Sequence, residues 1–455
     1  MATREVMVIG AGPAGVAAAI EAARAGCGVT MIAEEPVGGR ATHASLVPSK
    51  VLLHFVHERR KSKLELEPSD VVQLTEEMAR VARIESERAA RRLEDAGVRM
   101  VRGVARLTGP GALEIVREGS APRAERFDAA VIATGSGPSF PPGFFGDAKG
   151  PDGERILAPR HLRTLRTLPK TMMVIGGGAT GAELVHAFQA MGVEVTWILD
   201  DLGILPDFDR ELADSIGDVL MERGVKIVHG KAVVKLVSDP HQGVLASLDG
   251  GRTYSAERAM VAIGRRADTA RLGLETVGIA IDPRTGAIAV DASQRAAEGV
   301  FVAGDAAGPP YVQSKGVIEG WIAGRAAAGL AVADAPRAWV ETVYTSPEIA
   351  MVGLTPARAG AARRAFDMRT ISFDESLRGI LADVGVDPHV RGMLRVVLDE
   401  TTRAVIGASA IGPHASEVLG PIAVAIAGRM TVEQLAVAGL AAPTFGELAG
   451  AAARS

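Results

Sequence analysis

The stretch Val6–Gly15, VMVIGAGPAG, decides the fold of this 455-residue chain. Its first four residues, Val6 to Ile9, form a short apolar run of the kind that makes a strand buried on both faces. Glycines follow at Gly10, Gly12 and Gly15, and an alanine-rich helical segment starts at once. Glycine at these spacings allows a tight turn and a close backbone approach. The helix that opens there offers free N–H groups and a positive dipole end to a diphosphate. Gly10, Gly12, Ala14 and Gly15 are therefore expected to hold a dinucleotide. A second copy, VIGGGATGAE, spans Val174–Glu183 and places Gly176, Gly178 and Gly181 in the same frame. One such signature is weak; two, each with its strand before and helix after, predict an α/β chain with two Rossmann-like dinucleotide-binding domains.

Composition narrows the class. Hydrophobic residues make up 47% of the chain and the net charge is -4, which argues against a nucleic-acid or anionic-membrane partner. No run of about 18 apolar residues occurs, so no membrane span is expected. The first residues lead straight into a strand without the pattern of a signal peptide, and a cytoplasmic location is expected. Cys27 is the only cysteine, so no intrachain disulfide can form, and it reads as a packed structural thiol. No His, Cys, Asp or Glu cluster has metal-ligand spacing, so no metal is expected.

Other segments extend the pattern. The second strand of each nucleotide unit should end near an acid that bonds the adenosine ribose: Glu34 or Glu35 in the first, Asp200 or Asp201 in the second. No cation adjoins Asp200 in sequence, which favours NADH over NADPH. FDAAVIATG (Phe127–Gly135) and RAMVAIGRRADT (Arg258–Thr269) are each a strand running into a turn, at Thr134-Gly135 and at Gly264. GVFVAGDAAG (Gly299–Gly308) is an apolar strand that ends in Gly304-Asp305, where an Asp can bond a flavin's ribityl hydroxyl. The segment from Thr75 to Gly97 has the pattern of a long amphipathic helix with a solvated charged face. From about Trp339 the pattern changes to a mixed α+β unit with an antiparallel core. The expected organisation is a bipartite first dinucleotide-binding domain (1–148 and 272–336), a second dinucleotide-binding domain (149–271) and a C-terminal domain (337–455).

The order of these motifs, together with GGRATHASLVPSK (Gly38–Lys50) and PTFGE (Pro443–Glu447), resembles the two-dinucleotide flavoprotein disulfide reductases. The resemblance covers nearly the whole chain. It implies FAD in the first domain, a nicotinamide nucleotide in the middle one, and a C-terminal domain that makes a homodimer. Gly39 and Ala105 are implied as further cofactor contacts. Lys50 and Glu183 are implied to pair beside the flavin N5, where a cation stabilises charge as hydride arrives.

The chain departs from the family pattern where the family's chemistry lies. The family's loop carries two cysteines, and Ala41 and Leu46 stand at those positions. The family's C-terminal histidine is replaced by Ala442, although Pro443, Thr444 and Glu447 are kept. Ala33 and Leu199 stand where relatives have the ribose-binding acids. The loss of histidine is coherent with the loss of the thiols whose protons it manages.

The expected activity is that of an FAD-dependent NAD(P)H oxidoreductase without a redox-active disulfide. Electrons would pass from reduced flavin directly to a small-molecule acceptor such as a quinone. The expected acceptor pocket comprises Ala41, His43, Leu46, Ala442 and Glu447. Two other readings stand beside this one: a soluble NAD(P) transhydrogenase, and a flavin-bearing subunit or sensor whose electron acceptor is a protein. Tyr344 and Thr345 read as structural.

Overall fold

A computed structural model describes residues 3–62, 68–332, 335–382, 384 and 392–455. The first nucleotide unit is a six-stranded sheet of β1 (Glu5–Ile9), β2 (Gly28–Ala33), β3 (Arg99–Arg102), β7 (Ala129–Ile132), β18 (Arg295–Ala297) and β19 (Val300–Val302). Their order is β18-β19-β7-β1-β2-β3. All neighbours are parallel except β18 and β19. Every residue of β1 after Glu5 is buried, as a strand covered on both faces requires. A small antiparallel sheet, β4 (Val104–Gly109), β5 (Ala112–Val116) and β6 (Arg123–Arg126), flanks this unit.

Helix α1 (Pro13–Arg24) starts with a proline at its first position, where a missing N–H costs nothing. Two short segments follow, α2 (Gly39–Ala44) and α3 (Leu46–Ser62). The stretch Gly38–Lys50 is thus largely helical. The long amphipathic helix is α4, Pro68–Asp95, and it begins seven residues before Thr75. Asp70 in its first turn suits the positive dipole end.

The second nucleotide unit is a parallel sheet in the order β12-β11-β10-β16-β9. Its members are β9 (Ile156–Leu157), β10 (Thr171–Ile175), β11 (Glu194–Ile198), β12 (Lys226–Val228) and β16 (Arg258–Val261). Helices α5 (Ala179–Ala190) and α6 (Arg210–Glu222) cover it, and an antiparallel sheet of β13 (Val233–Asp239), β14 (Gly243–Leu248) and β15 (Thr253–Ala256) packs alongside. A two-stranded antiparallel ribbon, β8 (Ser136–Pro138) with β17 (Arg265–Ala267), lies where the chain crosses between the two units.

The third unit is an antiparallel sheet in the order β20-β21-β24-β23-β22, from Val340–Val343, Glu348–Gly353, Val405–Gly412, Met393–Asp399 and Phe366–Ser372 respectively. Helical segments carrying Ile422, Ala425, Leu448 and Ala452 bury its inner face. The fold is α/β, with two Rossmann-like units and a C-terminal α+β unit. Among the described residues, no helix is long and apolar enough to cross a membrane.

One packing contact fixes the first unit. Helix α7 (Gln313–Ala327) lies against α1 so closely that two of its glycines, Gly320 and Gly324, have no room for a side chain. A Cβ on Gly320 would stand 2.1 Å from the Ala14 carbonyl oxygen, and one on Gly324 would stand 2.4 Å from that of Ala18. Gly316, Gly320 and Gly324 recur every four residues and so share one helix face. Lys315 and Glu319, both buried, lie on the same helix, and their side chains brace the turn at Gly304. Lys315 Nζ donates to the Gly308 carbonyl at 2.9 Å and pairs with Glu319 at 3.0 Å, and Glu319 accepts the Gly304 N–H at 2.9 Å.

Because backbone cannot yield as a side chain can, Gly320→Val should push α7 off α1. We expect a loss of roughly 1–3 kcal/mol, read as a lower denaturant midpoint at unchanged slope.

Candidate functional site

The turn after β1 is built by backbone contacts. Gly10 has φ +109°, and a Cβ there would stand 2.3 Å from the Ala133 carbonyl oxygen; one on Gly15 would stand 2.0 Å from that of Gly10. Gly12 differs, because a Cβ there would meet nothing within 4 Å. It opens onto a cavity of about 1070 Å3. Gly39 closes on it from the other side, with its Cβ position 3.1 Å from the Gly12 Cα.

That cavity collects most of the expected residues of the first site. Gly10, Gly12, Ala14, Glu34 and Gly39 line one part, and Ala105, Thr134, Gly135, Gly304 and Asp305 line the rest of that half. The Thr134 hydroxyl is buried without a hydrogen-bond partner among the described residues. Ser136 donates from its hydroxyl to the Asp305 carboxylate, and Arg265 Nε donates to the Ser136 hydroxyl at 2.7 Å. Both candidate ribose acids are occupied by arginines: Glu34 pairs with Arg271 at 3.0 Å and Glu35 with Arg40 at 3.2 Å.

Lys50 and Glu183 face each other in the same cavity. Lys50 Nζ donates to the two Glu183 oxygens at 2.6 and 2.8 Å. The Tyr344 backbone N–H donates to Glu183 Oε1 at 3.0 Å. Lys50 Nζ also sits 4.5 Å from the centre of the Tyr344 ring, within cation–π range. Burial pushes the Tyr344 phenol above its ordinary value, so it stays protonated at neutral pH. Tyr344, read from sequence as structural, thus borders the site.

Within one chain, the expected acceptor residues divide among three places. Ala41 and Leu46 line the large cavity beside Lys50. His43 does not: its Nε2 lies 3.1 Å from the Val37 carbonyl oxygen, and it lines a separate cavity of about 460 Å3 with Met78 and Ala82. The stretch is helical, and two residues along a helix turn the side chain by about 200°. Ala442 and Glu447 line a third cavity, about 310 Å3, beside Ile371 and Ser376. Cys27 is partly buried between α1 and β2, and burial pushes its thiol up.

The second glycine turn repeats the first. Gly176 has φ +116° with its Cβ position 2.3 Å from the Ala262 carbonyl oxygen, Gly181 closes on Gly176 at 2.0 Å, and Gly178 is open. Gly264, just after β16, is also open, as Gly135 is after β7. Asp200 Oδ1 accepts the Leu202 N–H at 3.1 Å, which shapes the turn after β11. Leu199 is fully buried, and a Cβ on Gly177 would stand 3.1 Å from its Cδ2. Position 199 is therefore a packed leucine.

Comparison with known proteins is decisive. Residues 4–328 match the pyridine nucleotide-disulphide oxidoreductase model, and residues 340–453 match that family's dimerisation domain. The chain belongs to the pyridine nucleotide-disulphide oxidoreductase family. It is 32% identical to dihydrolipoyl dehydrogenase 2 of Haloarcula marismortui, over 99% of this chain and 96% of that one. It is also 32% identical to an NAD(P)H dehydrogenase (quinone) of Mycobacterium tuberculosis, over 96% and 90%. The crystal structure of LpdA from Mycobacterium tuberculosis superposes with a TM-score of 0.91 at 30% identity, covering 99% of both chains.

As a member of this family the protein uses FAD and NAD(P)H and carries a dimerisation domain. Its own residues fit FAD. Gly12 leaves a cradle that any side chain would fill, the Thr134 hydroxyl awaits an acceptor, and Asp305 lies beside them on the cavity wall. Sequence reasoning missed Arg40, Ser136, Asp268 and Arg271, because nothing local marks residues that meet across long chain separations. The Gly316–Gly320–Gly324 repeat was a readable signal.

A Cβ added at position 12 meets nothing within 4 Å and projects toward the cradle. Gly12→Val should therefore leave the apoprotein's melting temperature within a few degrees of wild type while abolishing copurification of FAD, read as the ratio of flavin to protein absorbance.

Proposed function

We propose that this protein is an NAD(P)H oxidoreductase that reduces a flat, non-thiol acceptor of the quinone class, with NADH as the preferred donor. The supporting observation is the wall beside Lys50. It presents Ala41 and Leu46, and among the described residues no cysteine or histidine lines the cavity. FAD, which Gly12, Thr134 and Asp305 would hold, would supply a two-electron relay between NAD(P)H and the acceptor. The balance is one NAD(P)H, one quinone and one proton giving NAD(P)+ and hydroquinone.

In this reading Lys50 holds a positive charge at the reacting edge of the cavity, and Glu183 fixes where that charge sits. The Tyr344 N–H in turn fixes Glu183. Ala41 and Leu46 offer an apolar surface on which a neutral ring can lie without stripping water from a charge. Gly176, Gly178, Gly181 and Gly264 frame the nucleotide's diphosphate, and Asp200 disfavours a 2′-phosphate. The relative named NAD(P)H dehydrogenase (quinone) is consistent with this reading. The relatives named dihydrolipoyl dehydrogenase set its main competitor, which a chain whose one cysteine is Cys27 lacks the thiol pair to perform.

Anaerobic mixing of the holoprotein with NADH should bleach the flavin, and a quinone should restore its colour within the turnover time. Brisk flavin-dependent turnover of lipoamide would overturn the proposal. Reoxidation by an NADP analogue alone would instead identify a transhydrogenase. Reoxidation only by a protein partner would identify an electron-transfer subunit.

Lys50→Met should slow the bleaching step by about 100-fold, the scale of removing one preorganised charge. Lys50→Arg should recover part of that loss. Equal bleaching rates in wild type and Lys50→Met would remove Lys50 from the chemistry.

A further inference from the structure

Arg40 occupies a place in this chain that neither the proposed chemistry nor the glycine turns explain. It follows Gly39 directly, at the start of α2, and its side chain reaches away from that helix along the cavity wall. Its guanidinium makes three connections. Nε pairs with Glu35, just after β2, at 3.2 Å. Nη1 donates to the Ser136 carbonyl on β8 at 2.8 Å. Nη2 pairs with Asp268, the residue after β17. The last two partners belong to the ribbon at which the chain crosses between the nucleotide units.

On the same stretch of ribbon, Arg265 Nη2 donates to the same Ser136 carbonyl at 2.9 Å, and Ser136 in turn bonds Asp305. Ser136 is thus the point where the ribbon is laced to both sides of the cavity. Asp305 and its turn hold it from one side, and Arg40 holds it from the other. Gly12, Thr134 and Asp305, the residues that fit FAD, line the cavity that these contacts border. The Arg40 and Asp268 side chains are each 33% exposed, so their pair sits at the cavity's solvent edge.

We propose that Arg40 is a retention strap for FAD: its bridge from the Gly39 loop to Ser136 and Asp268 must open before the cofactor can leave. The inference rests on the FAD assignment and adds to it a residue and a kinetic role. A planar guanidinium suits the task because it bonds a carbonyl and two carboxylates at once in fixed directions, which a lysine ammonium on a flexible stem does less well. The bridge is ionic and partly solvated, so salt should weaken it.

The test is the rate at which diluted holoprotein releases FAD, followed by the rise of free-flavin fluorescence. Arg40→Ala should release FAD about five-fold faster, the fold-change that accompanies loss of a partly exposed ion pair. Arg40→Lys should fall between the two. Asp268→Asn should act through the same bridge, so the double variant should release no faster than Arg40→Ala alone. Added salt should quicken release from wild type and leave Arg40→Ala nearly unaffected, a signature that general destabilisation would not produce. Equal release from wild type and Arg40→Ala would overturn the strap, as would rate effects of the two substitutions that multiply in full. A purified chain that takes up no FAD would overturn the cofactor assignment and the strap together, and so separates the two failures.

Discussion

The carboxylate of Glu183 is the point at which the three units of this chain meet. It sits on α5 of the second nucleotide unit and is 5% exposed. A buried carboxylate is costly unless donors surround it. Here Lys50 comes from α3 of the first unit, and the Tyr344 N–H comes from the start of the third. Each donor is needed by the same charge, so the relative placement of the units is tied to the geometry of one side chain. Apolar packing follows the same junction. One continuous core takes in Leu52 and Val56 of α3, Leu184 and Phe188 of α5, and Val343 and Ile349 of the C-terminal sheet.

The Gly38–Lys50 stretch of this chain takes its shape from backbone contacts, without sulfur. Gly38 adopts φ +97°, and a Cβ there would stand 2.4 Å from the Thr42 hydroxyl. Gly39 presses against Gly12. These backbone constraints turn the chain into α2 and α3 and deliver Lys50 to Glu183. The side chains at Ala41 and Leu46 are then free to vary without disturbing the frame. The frame of the loop is thus independent of the side chains at positions 41 and 46, and family membership alone does not fix the reaction.

Several arginines follow a related logic. Arg40, Arg265 and Arg271 line the same cavity, and each finds a carboxylate: Asp268 and Glu35, Asp305, and Glu34 respectively. Burial pulls the Arg265 guanidinium below its ordinary value, with Asp305 opposing that shift and Arg40 adding to it. Cations paired in this way build the wall of the cavity and carry little uncompensated charge into it.

The sequence alone determined the two glycine turns, the α/β class, the antiparallel C-terminal unit and the absence of a thiol pair. Each depends on contacts within a few residues: a strand, a turn that only glycine fits, and a helix. It also pointed to Lys50 and Glu183 through their place in matched motifs. The tertiary structure alone decided that His43 turns away from Ala41, because helix rotation separates residues two apart. It alone showed that Leu199 is buried against Gly177, and that Arg40 meets Ser136 and Asp268. Those pairings span 96 and 228 residues of chain. No local pattern encodes them, since only folding brings such distant segments to one cavity.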